Sequence, residues 1–452
     1  MSPITDHTAT ITPLRERAAA AVAVAAERLA DPERVAAALA ATGRPWDPAG
    51  LAGGAPGIAL LYAELARHDS AFRTTAHTWL GLAARAARTA APGIGLYDAV
   101  PALCFVLPRA AAGPQDYRAA RDHLRAGTAV LAERLAGRER RRIADRAGHT
   151  ALESYDLISG LAGLGAVLLD QDRPATEEVL RGLVALTEPL AGLPGWWVAQ
   201  DVDSYRAVAP ELGHANLGLA HGAPGPLAVL ALAWRQGLQV PGQAEAITRL
   251  AEWLLDAART DRAGPWWPTA VELMRDAGAP ERNAPDADAP ERNTSDADAP
   301  GQEAPGRPSW CYGSPGIARA LQLAGLALDV PTWRRTAEDA LLAALDRDHL
   351  RAGPTDAGLC HGWGGLLQCA WRIAQDGTDR RTAERLPGLA TRLLQLSDPD
   401  APFGFTEPRT RNGWTDDPAG FLTGAAGAAL ALHTFATERA PATTWDRALL
   451  LA

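Results

Sequence analysis

Residues 312–323 read YGSPGIARALQL, a short glycine-rich turn followed by apolar residues at helical spacing. The same pattern recurs as GGAPGIALLYAEL from Gly53, SGLAGLGAVLL from Ser159, HGAPGPLAVLAL from His221, HGWGGLLQCAW from His361 and TGAAGAALALH from Thr423. In the first of these, the apolar side chains from Ile58 to Leu65 fall on the i, i+3, i+4, i+7 stripe of a helix. Each turn therefore predicts a helix start, because glycine permits close backbone approach and φ values that other residues avoid.

The turns divide the chain into repeating units. Their glycines fall at positions 54, 160, 222, 313, 362 and 424, with spacings of 49 residues in one case and 62 in two others. The first spacing, 106 residues, is twice 53, so one unit lacks its glycines. The stretch GLYDAVPALCFVL from Gly95 lies where that unit belongs, with Val100 and Pro101 in place of the turn. We count seven units.

A second helical stretch lies between successive turns, such as TWRRTAEDALLAALDRDHL from Thr332, and alternating β-branched runs are scarce. Each unit is therefore predicted to be a helix pair, and the fold class to be all-α. Repeats of this length form either an open solenoid or a closed ring. A ring would be an α/α toroid with seven inner and seven outer helices, the glycine-headed helices inside, and periodicity alone does not choose between the two.

One segment, residues 278–306, interrupts the repeats. It contains the near-copies APERNAPDAD and APERNTSDAD, which are rich in proline, aspartate and alanine. Such a segment has little apolar bulk to bury, so it predicts a disordered surface loop. We interpret the rest of residues 1–452 as one toroid domain.

Composition excludes several classes of protein. The chain has 452 residues and a net charge of −9, and its basic residues are spread along the sequence apart from RERRR at 138–142, which argues against nucleic acid as the main partner. No stretch approaches the ~20 uncharged apolar residues of a transmembrane helix, and the N-terminus lacks the features of a signal peptide. The four cysteines show no secreted disulfide framework. We expect a cytoplasmic protein with reduced thiols, although peripheral association with a membrane complex stays open.

Cysteine and histidine side chains mark two of the turns. Cys311 lies directly before the turn of the fifth unit, and Cys360 and His361 open the sixth. Zinc prefers thiolate and imidazole ligands, and catalytic zinc keeps three protein ligands and one open position. The three residues predict one Zn²⁺ per chain, provided that the fold brings equivalent turns together. Cys104 and Cys369 lie within apolar runs and are interpreted as core residues.

Three further polar residues lie near the turns. His221 heads the fourth unit and could be a fourth zinc ligand, a proton donor or acceptor, or a core histidine with its hydrogen bonds satisfied. Asp156 lies four residues before the turn glycine of its unit, where a helix cap is the simplest interpretation. Arg307 lies four residues before Cys311, and an arginine in such a place is commonly a solvated surface residue.

The motifs WCYGSPG at Trp310, LCHGWGG at Leu359 and AHGAPG at Ala220 resemble the lanthionine synthetase C-like proteins, the LanC cyclases of lantibiotic biosynthesis. The resemblance covers roughly residues 50 to 435, and the family fold is a double-layered α/α toroid. It implies zinc binding by Cys311, Cys360 and His361. It also implies that the family's active-site histidine, aspartate, arginine and CYG tyrosine correspond in turn to His221, Asp156, Arg307 and Tyr312. The second unit departs from the pattern, but it carries no ligand in the family.

The implied reaction is Michael-type addition of a cysteine thiol to dehydroalanine or dehydrobutyrine within a dehydrated precursor peptide, closing a thioether ring. Arg307 could stabilise the enolate oxygen, and His221, oriented by Asp156, could take the proton from the thiol or give one to the enolate. The sequence does not decide which residue performs each step. A lantibiotic dehydratase and a transporter are the further partners that the family implies. Fewer than 50 residues precede the first turn, which fits the stand-alone class I form.

Three other interpretations fit parts of the sequence. An enzyme of the same fold could add glutathione or another thiol, with an identical zinc site. A toroid of the prenyltransferase or glycosidase type would use a carboxylate ligand or paired carboxylates, whereas these turns carry thiols and imidazoles. A non-catalytic peptide-binding scaffold could also retain the complete ligand set.

Overall fold

A computed structural model describes residues 7–41, 43, 46–91, 93–200, 207–273, 305–306, 308–347, 354–406 and 417–452. The inner-layer helices are α3 (Ala55–Leu65), α5 (Ala99–Ala110), α8 (Leu161–Leu168), α10 (Pro224–Arg235), α12 (Ser314–Ala327), α14 (Trp363–Asp376) and α16 (Ala425–Thr437). The outer-layer helices are α1 (His7–Arg28), α4 (Phe72–Ala87), α6 (Arg118–Ala144), α9 (Arg173–Leu186), α11 (Gln243–Ala257), α13 (Pro331–Asp346) and α15 (Arg380–Leu394). Two short helices, α2 (Pro32–Ala41) and α7 (Leu152–Tyr155), lie outside this scheme.

The inner helices form a closed ring. Each packs against the next in chain order, and the last, α16, packs against the first, α3. Six outer helices follow and cover their own inner helix, for example α4 on α3 and α13 on α12. The predicted all-α toroid is confirmed, and the open solenoid is excluded. The second unit forms its inner helix without the glycine turn.

The seventh outer helix comes from the other end of the chain. No helix after α16 covers it; instead α1 packs on α16. The toroid therefore includes α1, which lies well before the first glycine turn at Gly53. The helix pair of the last unit forms only through contact between residues far apart in sequence.

Inner and outer helices differ in how much of their surface is buried. All residues of α3 and of α8 are buried, as expected for helices with neighbours on every side. The outer helix α15 instead buries one stripe that includes Leu389 and Leu393, while Arg380 and Arg385 face outward. Small residues are frequent in the inner layer, and their size lets the inner helices approach each other closely.

Short strands, which the sequence did not predict, accompany two of the connections. Strand β1 (His214–Asn216) pairs antiparallel with β4 (Ala270–Glu272), and β2 (Arg259–Thr260) pairs with β3 (Pro265–Trp266). Strand β1 ends six residues before Gly222 and so leads directly into the turn that carries His221. The segment 278–306 lies outside the described residues apart from its last two.

Residues 442–452, which include a 3₁₀ turn at Trp445–Leu449, contact the inner faces of several units. Leu449, Leu451 and Ala448 accept hydrogen bonds through their backbone oxygens from Trp310, Arg319 and Tyr97, respectively. The carboxylate of Asp446 accepts from Gln368 and Arg372. This segment thus fills the interior of the ring. Among the helices of the described ranges, none has the length and apolar character needed to cross a bilayer.

Candidate metal centre

Backbone hydrogen bonds join the turns of neighbouring units around the ring. The residues involved lie two positions before the turn glycine in each unit: Ala52, Ala220, Cys311, Cys360 and Leu422. Ala220 N donates to Cys311 O at 3.4 Å, and Cys311 N donates to Cys360 O at 3.1 Å. Cys360 N then donates to Leu422 O at 2.8 Å, and Leu422 N to Ala52 O at 2.9 Å. Two cysteines that are 49 residues apart in sequence are therefore direct neighbours in the ring.

Glycine is required where the chain passes from these positions into the inner helices. Gly313 has φ +120°, a conformation that side chains disfavour, and it turns the chain from Cys311 into α12. At the start of α14, a Cβ on Gly365 would lie 1.9 Å from the backbone oxygen of Leu359. The glycine spacing found in the sequence thus reflects the geometry that presents the cysteines.

The turns bring Cys311, Cys360 and His361 together, as the sequence predicted. Their ligand atoms all lie within 4.8 Å of one another. Around a tetrahedral zinc ion, with bonds of about 2.3 Å to sulfur and 2.0–2.1 Å to nitrogen, ligand atoms are roughly 3.5 Å apart. Small side-chain rotations would close this set on an ion. The chemistry of the donors, two thiols and one imidazole, also fits zinc.

Electrostatics favour the thiolate at Cys311. Hydrogen bonding with Cys360, together with smaller contributions from His361 and Ser309, holds the pKa of Cys311 well below its usual value, although burial opposes this. Ser309 Oγ lies 3.7 Å from Cys311 Sγ. The deprotonated sulfur is the form that binds metals. The protein thus stabilises the ligand form of this cysteine even without an ion.

The other two cysteines are buried away from this cluster. Burial raises the pKa of Cys104 to about 11 and that of Cys369 further still. Both thiols lie in apolar helices of the inner layer, which agrees with their interpretation as core residues.

Behind His361 lies Asp356, a residue that the sequence analysis missed. Its Oδ2 is 3.6 Å from His361 Nε2, and its Oδ1 accepts a hydrogen bond from Gly358 N at 2.9 Å. A buried carboxylate next to a metal-binding histidine commonly orients the imidazole and raises its basicity. Position in the repeat could have revealed it, because Asp356 lies four residues before Cys360 just as Arg307 lies four before Cys311.

His221 and Asp156 form a close pair. His221 Nδ1 lies 2.6 Å from Asp156 Oδ2, and Ser159 N donates to Asp156 Oδ1 at 2.7 Å. The Asp156 side chain is 2% exposed, whereas that of His221 is 32% exposed. Burial raises the pKa of Asp156, although the hydrogen bond and charge of His221 oppose this. Because Nδ1 is held by the carboxylate, Nε2 is the ring atom left for a substrate.

Tyr312 lies beside this pair. Its ring stacks near that of His221, with centroids 6.2 Å apart and an interplanar angle of 29°. Asn216 Nδ2 donates to the Tyr312 hydroxyl at 3.2 Å, while Asn216 Oδ1 accepts from Gly218 N. Asn216, another residue that the sequence analysis missed, also lies four residues before a ring position, Ala220. Arg307 lies outside the described residues.

A backbone hydrogen bond links Ala220 to Cys311. The His221–Asp156 pair and the thiol cluster therefore lie at the same end of the ring. His221, Tyr312 and His361 occupy the equivalent position, one residue before the turn glycine, in three successive units. The structure therefore brings together six of the seven predicted site residues. The arrangement combines two thiols and an imidazole that could hold a soft metal ion with a second imidazole whose orientation is fixed by Asp156.

Comparison with known proteins agrees with this geometry. The family model of lanthionine synthetase C-like protein matches residues 45–450. The chain is 25% identical to the nisin biosynthesis protein NisC of Lactococcus lactis subsp. lactis over 308 residues, which is 66% of this chain and 64% of that protein. The match thus spans slightly less than two thirds of that relative. A solved structure of nisin cyclase has the same fold, with a TM-score of 0.68 and 21% identity over 92% of this chain and 95% of the other. From its turns, its ring and this match, the chain belongs to the lanthionine synthetase C-like family.

Proposed function

We propose that this protein closes thioether rings in a dehydrated precursor peptide, by adding cysteine thiols to dehydroalanine or dehydrobutyrine to form (methyl)lanthionine. The observation that carries this proposal is the cluster of Cys311, Cys360 and His361 at the same end of the ring as the His221–Asp156 pair. Membership of the family and similarity to a nisin biosynthesis protein support it.

The cluster would hold a zinc ion through two thiolates and one imidazole. When bound, zinc supplies a positive charge that lowers the pKa of a substrate thiol and so favours the nucleophilic thiolate. Ala220 and Leu422, at the equivalent positions of the neighbouring units, have no side-chain atom that could bind zinc. The site therefore has two thiolates. A coordination position would remain for the sulfur of the peptide.

His221 is the group that moves the proton in this proposal. Asp156 accepts a hydrogen bond from the Nδ1–H group, which fixes the tautomer and leaves Nε2 as a base toward the substrate. Removal of the thiol proton precedes attack of sulfur on the β-carbon, and the π electrons of the dehydro residue move to the α-carbon and its carbonyl. Return of one proton to the α-carbon completes the addition, so no oxidant or reductant is needed.

Two further residues would contribute to the reaction, one by positioning the peptide and one by stabilising the enolate. Tyr312, held by Asn216 at its hydroxyl, is placed beside the imidazole and can shape the approach of the peptide. Arg307 is proposed as the cation that stabilises the enolate oxygen, on the resemblance alone. The association with a dehydratase and a transporter, and the cytoplasmic location, stay predictions.

The experiment is to incubate the purified protein with a dehydrated precursor peptide, with and without glutathione, and then to alkylate free thiols. Ring closure leaves the peptide mass unchanged but removes alkylatable cysteines, whereas addition of glutathione increases the mass. A peptide that binds but keeps all its thiols would contradict the proposal and favour the scaffold. The matched control is His221→Ala, which should bind the peptide but lose roughly 10²–10⁴-fold in rate.

A further inference from the structure

A second group of potential metal ligands lies at the opposite end of the ring. Glu64 is in the last turn of α3, His68 follows that helix, and His433 is in the last turns of α16. Their ligand atoms all lie within 4.8 Å of one another. The thiol cluster is at the N-terminal ends of the inner helices, and α3 alone is about 16 Å long at 1.5 Å per residue. The two groups are therefore separate sites.

The three side chains are close without being bonded to one another. No hydrogen bond or ion pair in the described ranges joins Glu64 to either histidine. The rings of His68 and His433 meet edge to face, with centroids 5.1 Å apart. The Nε2 atom of His433 is buried and has no hydrogen-bond partner. A buried imidazole nitrogen without a partner needs an explanation, and a bound ion is one of the few that satisfy it.

Glu64 supplies a fixed negative charge. Its carboxylate is 2% exposed and accepts hydrogen bonds from Ala442 N at 2.8 Å and from Thr443 N at 2.9 Å. The Thr443 hydroxyl and Thr443 N both donate to Oε2, whereas Oε1 accepts only the hydrogen bond from Ala442 N. Because a carboxylate oxygen can accept two, Oε1 keeps a lone pair for a cation. No arginine forms an ion pair with Glu64 within the described part of the chain.

We propose that Glu64, His68 and His433 bind one divalent first-row transition-metal ion, of which Zn²⁺ is the test case. Two imidazoles and one carboxylate suit such ions, and they differ from the thiolate-rich set at the other end of the ring. Contraction from the present spacing to the roughly 3.3 Å between ligands of a tetrahedral site is within reach, because His68 is exposed and its side chain can shift without repacking the core.

The position of this site gives it a structural role. Helices α3 and α16 are the first and last of the inner layer, and their contact closes the ring. Glu64 also anchors residues 442 and 443, where the segment that fills the ring interior begins. An ion at this site would join both ends of the repeat array to that segment, independently of the proposed cyclase activity.

Cobalt(II) titration of the full-length chain separates the two sites. Thiolate ligation gives an intense sulfur-to-cobalt charge-transfer band, whereas a site of nitrogen and oxygen ligands gives only weak visible bands. We expect two cobalt equivalents in the parent protein. We expect one in Cys311→Ser/Cys360→Ser, without the charge-transfer band. Adding either His68→Gln or His433→Gln to that variant should abolish the remaining equivalent.

The matched control is His123→Gln, an exposed histidine on the outer helix α6, which should leave cobalt binding intact. Zn²⁺ should also raise the melting temperature of Cys311→Ser/Cys360→Ser, and His68→Gln should remove this rise. Because His68 is exposed, its substitution tests the ligand without disturbing the core. A single equivalent in the parent that carries the charge-transfer band and is lost in Cys311→Ser/Cys360→Ser would overturn the proposal. So would an equivalent in that variant that survives both histidine substitutions.

Discussion

Replacing Asp156 by asparagine distinguishes the two interpretations of this residue, a simple cap or a partner of His221. Asparagine caps a turn as well as aspartate, and its oxygen would keep the bond from Ser159 N, because the amide nitrogen cannot accept it. The amide NH₂ would then face His221 Nδ1, 2.6 Å away in the parent. His221 would have to accept there, which moves its proton to Nε2 and removes the base.

The expected loss follows from this tautomer change. Removal of a general base costs about 10²–10⁴-fold in rate, equal to roughly 2.7–5.4 kcal/mol of transition-state free energy. The assay is ring closure of dehydrated peptide in single turnover, followed by thiol alkylation. The control is Asp172→Asn, which alters another capping aspartate, at the start of α9, and should leave the rate unchanged. A rate close to that of the parent for Asp156→Asn would show that Asp156 only caps its turn.

The same substitution should lower the rate but increase the stability of the fold relative to the parent as pH rises. Since burial raises the pKa of Asp156 in the folded state, the folded protein binds this proton more tightly than the unfolded chain. Stability of the parent therefore falls as pH rises from the ordinary value of about 3.9 through the raised pKa, and the full cost is present at neutral pH. The asparagine variant lacks this ionisation. Its melting temperature relative to the parent should rise over that pH interval, and a constant difference would contradict the reasoning.

Three further predictions concern the metal ligands and the fold. Cys360→Ala should lose both its bound zinc, measured by elemental analysis, and its thioether-forming activity, measured by the alkylation assay. Parent protein treated with a chelator should lose both as well, until Zn²⁺ is restored. Zinc retained by the variant would exclude the shared site. Gly365→Ala places a Cβ 1.9 Å from Leu359 O and should lower the melting temperature strongly. The control for Gly365→Ala is Gly388→Ala, in α15, where an added Cβ would have no neighbouring atom within 4 Å and should stabilise the protein by about 0.5–1 kcal/mol. Asp446→Ala removes the buried partner of Arg372, whose side chain is 13% exposed, and should cost about 3 kcal/mol in urea unfolding, and a loss below 1 kcal/mol would refute the importance of this pair.

The sequence predicted the inner helices well because their signals are local. A glycine turn and an apolar stripe are both encoded within about a dozen residues, and even the second unit, without its glycines, was placed correctly. Closure of the helical toroid depends instead on contacts between α16 and α3 and between α16 and α1, which join opposite ends of the chain. No local pattern carries that information. For the same reason, the role of α1 as an outer helix was missed.

The candidate site was only partly visible for a related reason. Cysteine and histidine are rare enough here that their places on the turns stood out, whereas Asp356 and Asn216 are common residue types in polar loops. Their meaning comes from their position, four residues before Cys360 and Ala220, which is evident only when the units are aligned on the backbone hydrogen bonds. Polar identity at that position, rather than any motif, is the signal that could have found them.

The ring also explains how a repeat protein can build one site rather than seven. Five units offer the same position to their neighbours, two residues before the turn glycine, and backbone hydrogen bonds fix the spacing between them. A single cysteine at this position would have no second thiolate, and cysteines in every unit would make a closed, saturated cage. Cysteine occurs in two adjacent units only, flanked by Ala220 and Leu422. In the proposed function, a zinc ion held by these residues would be left one ligand short, and the substrate thiol would supply the missing ligand.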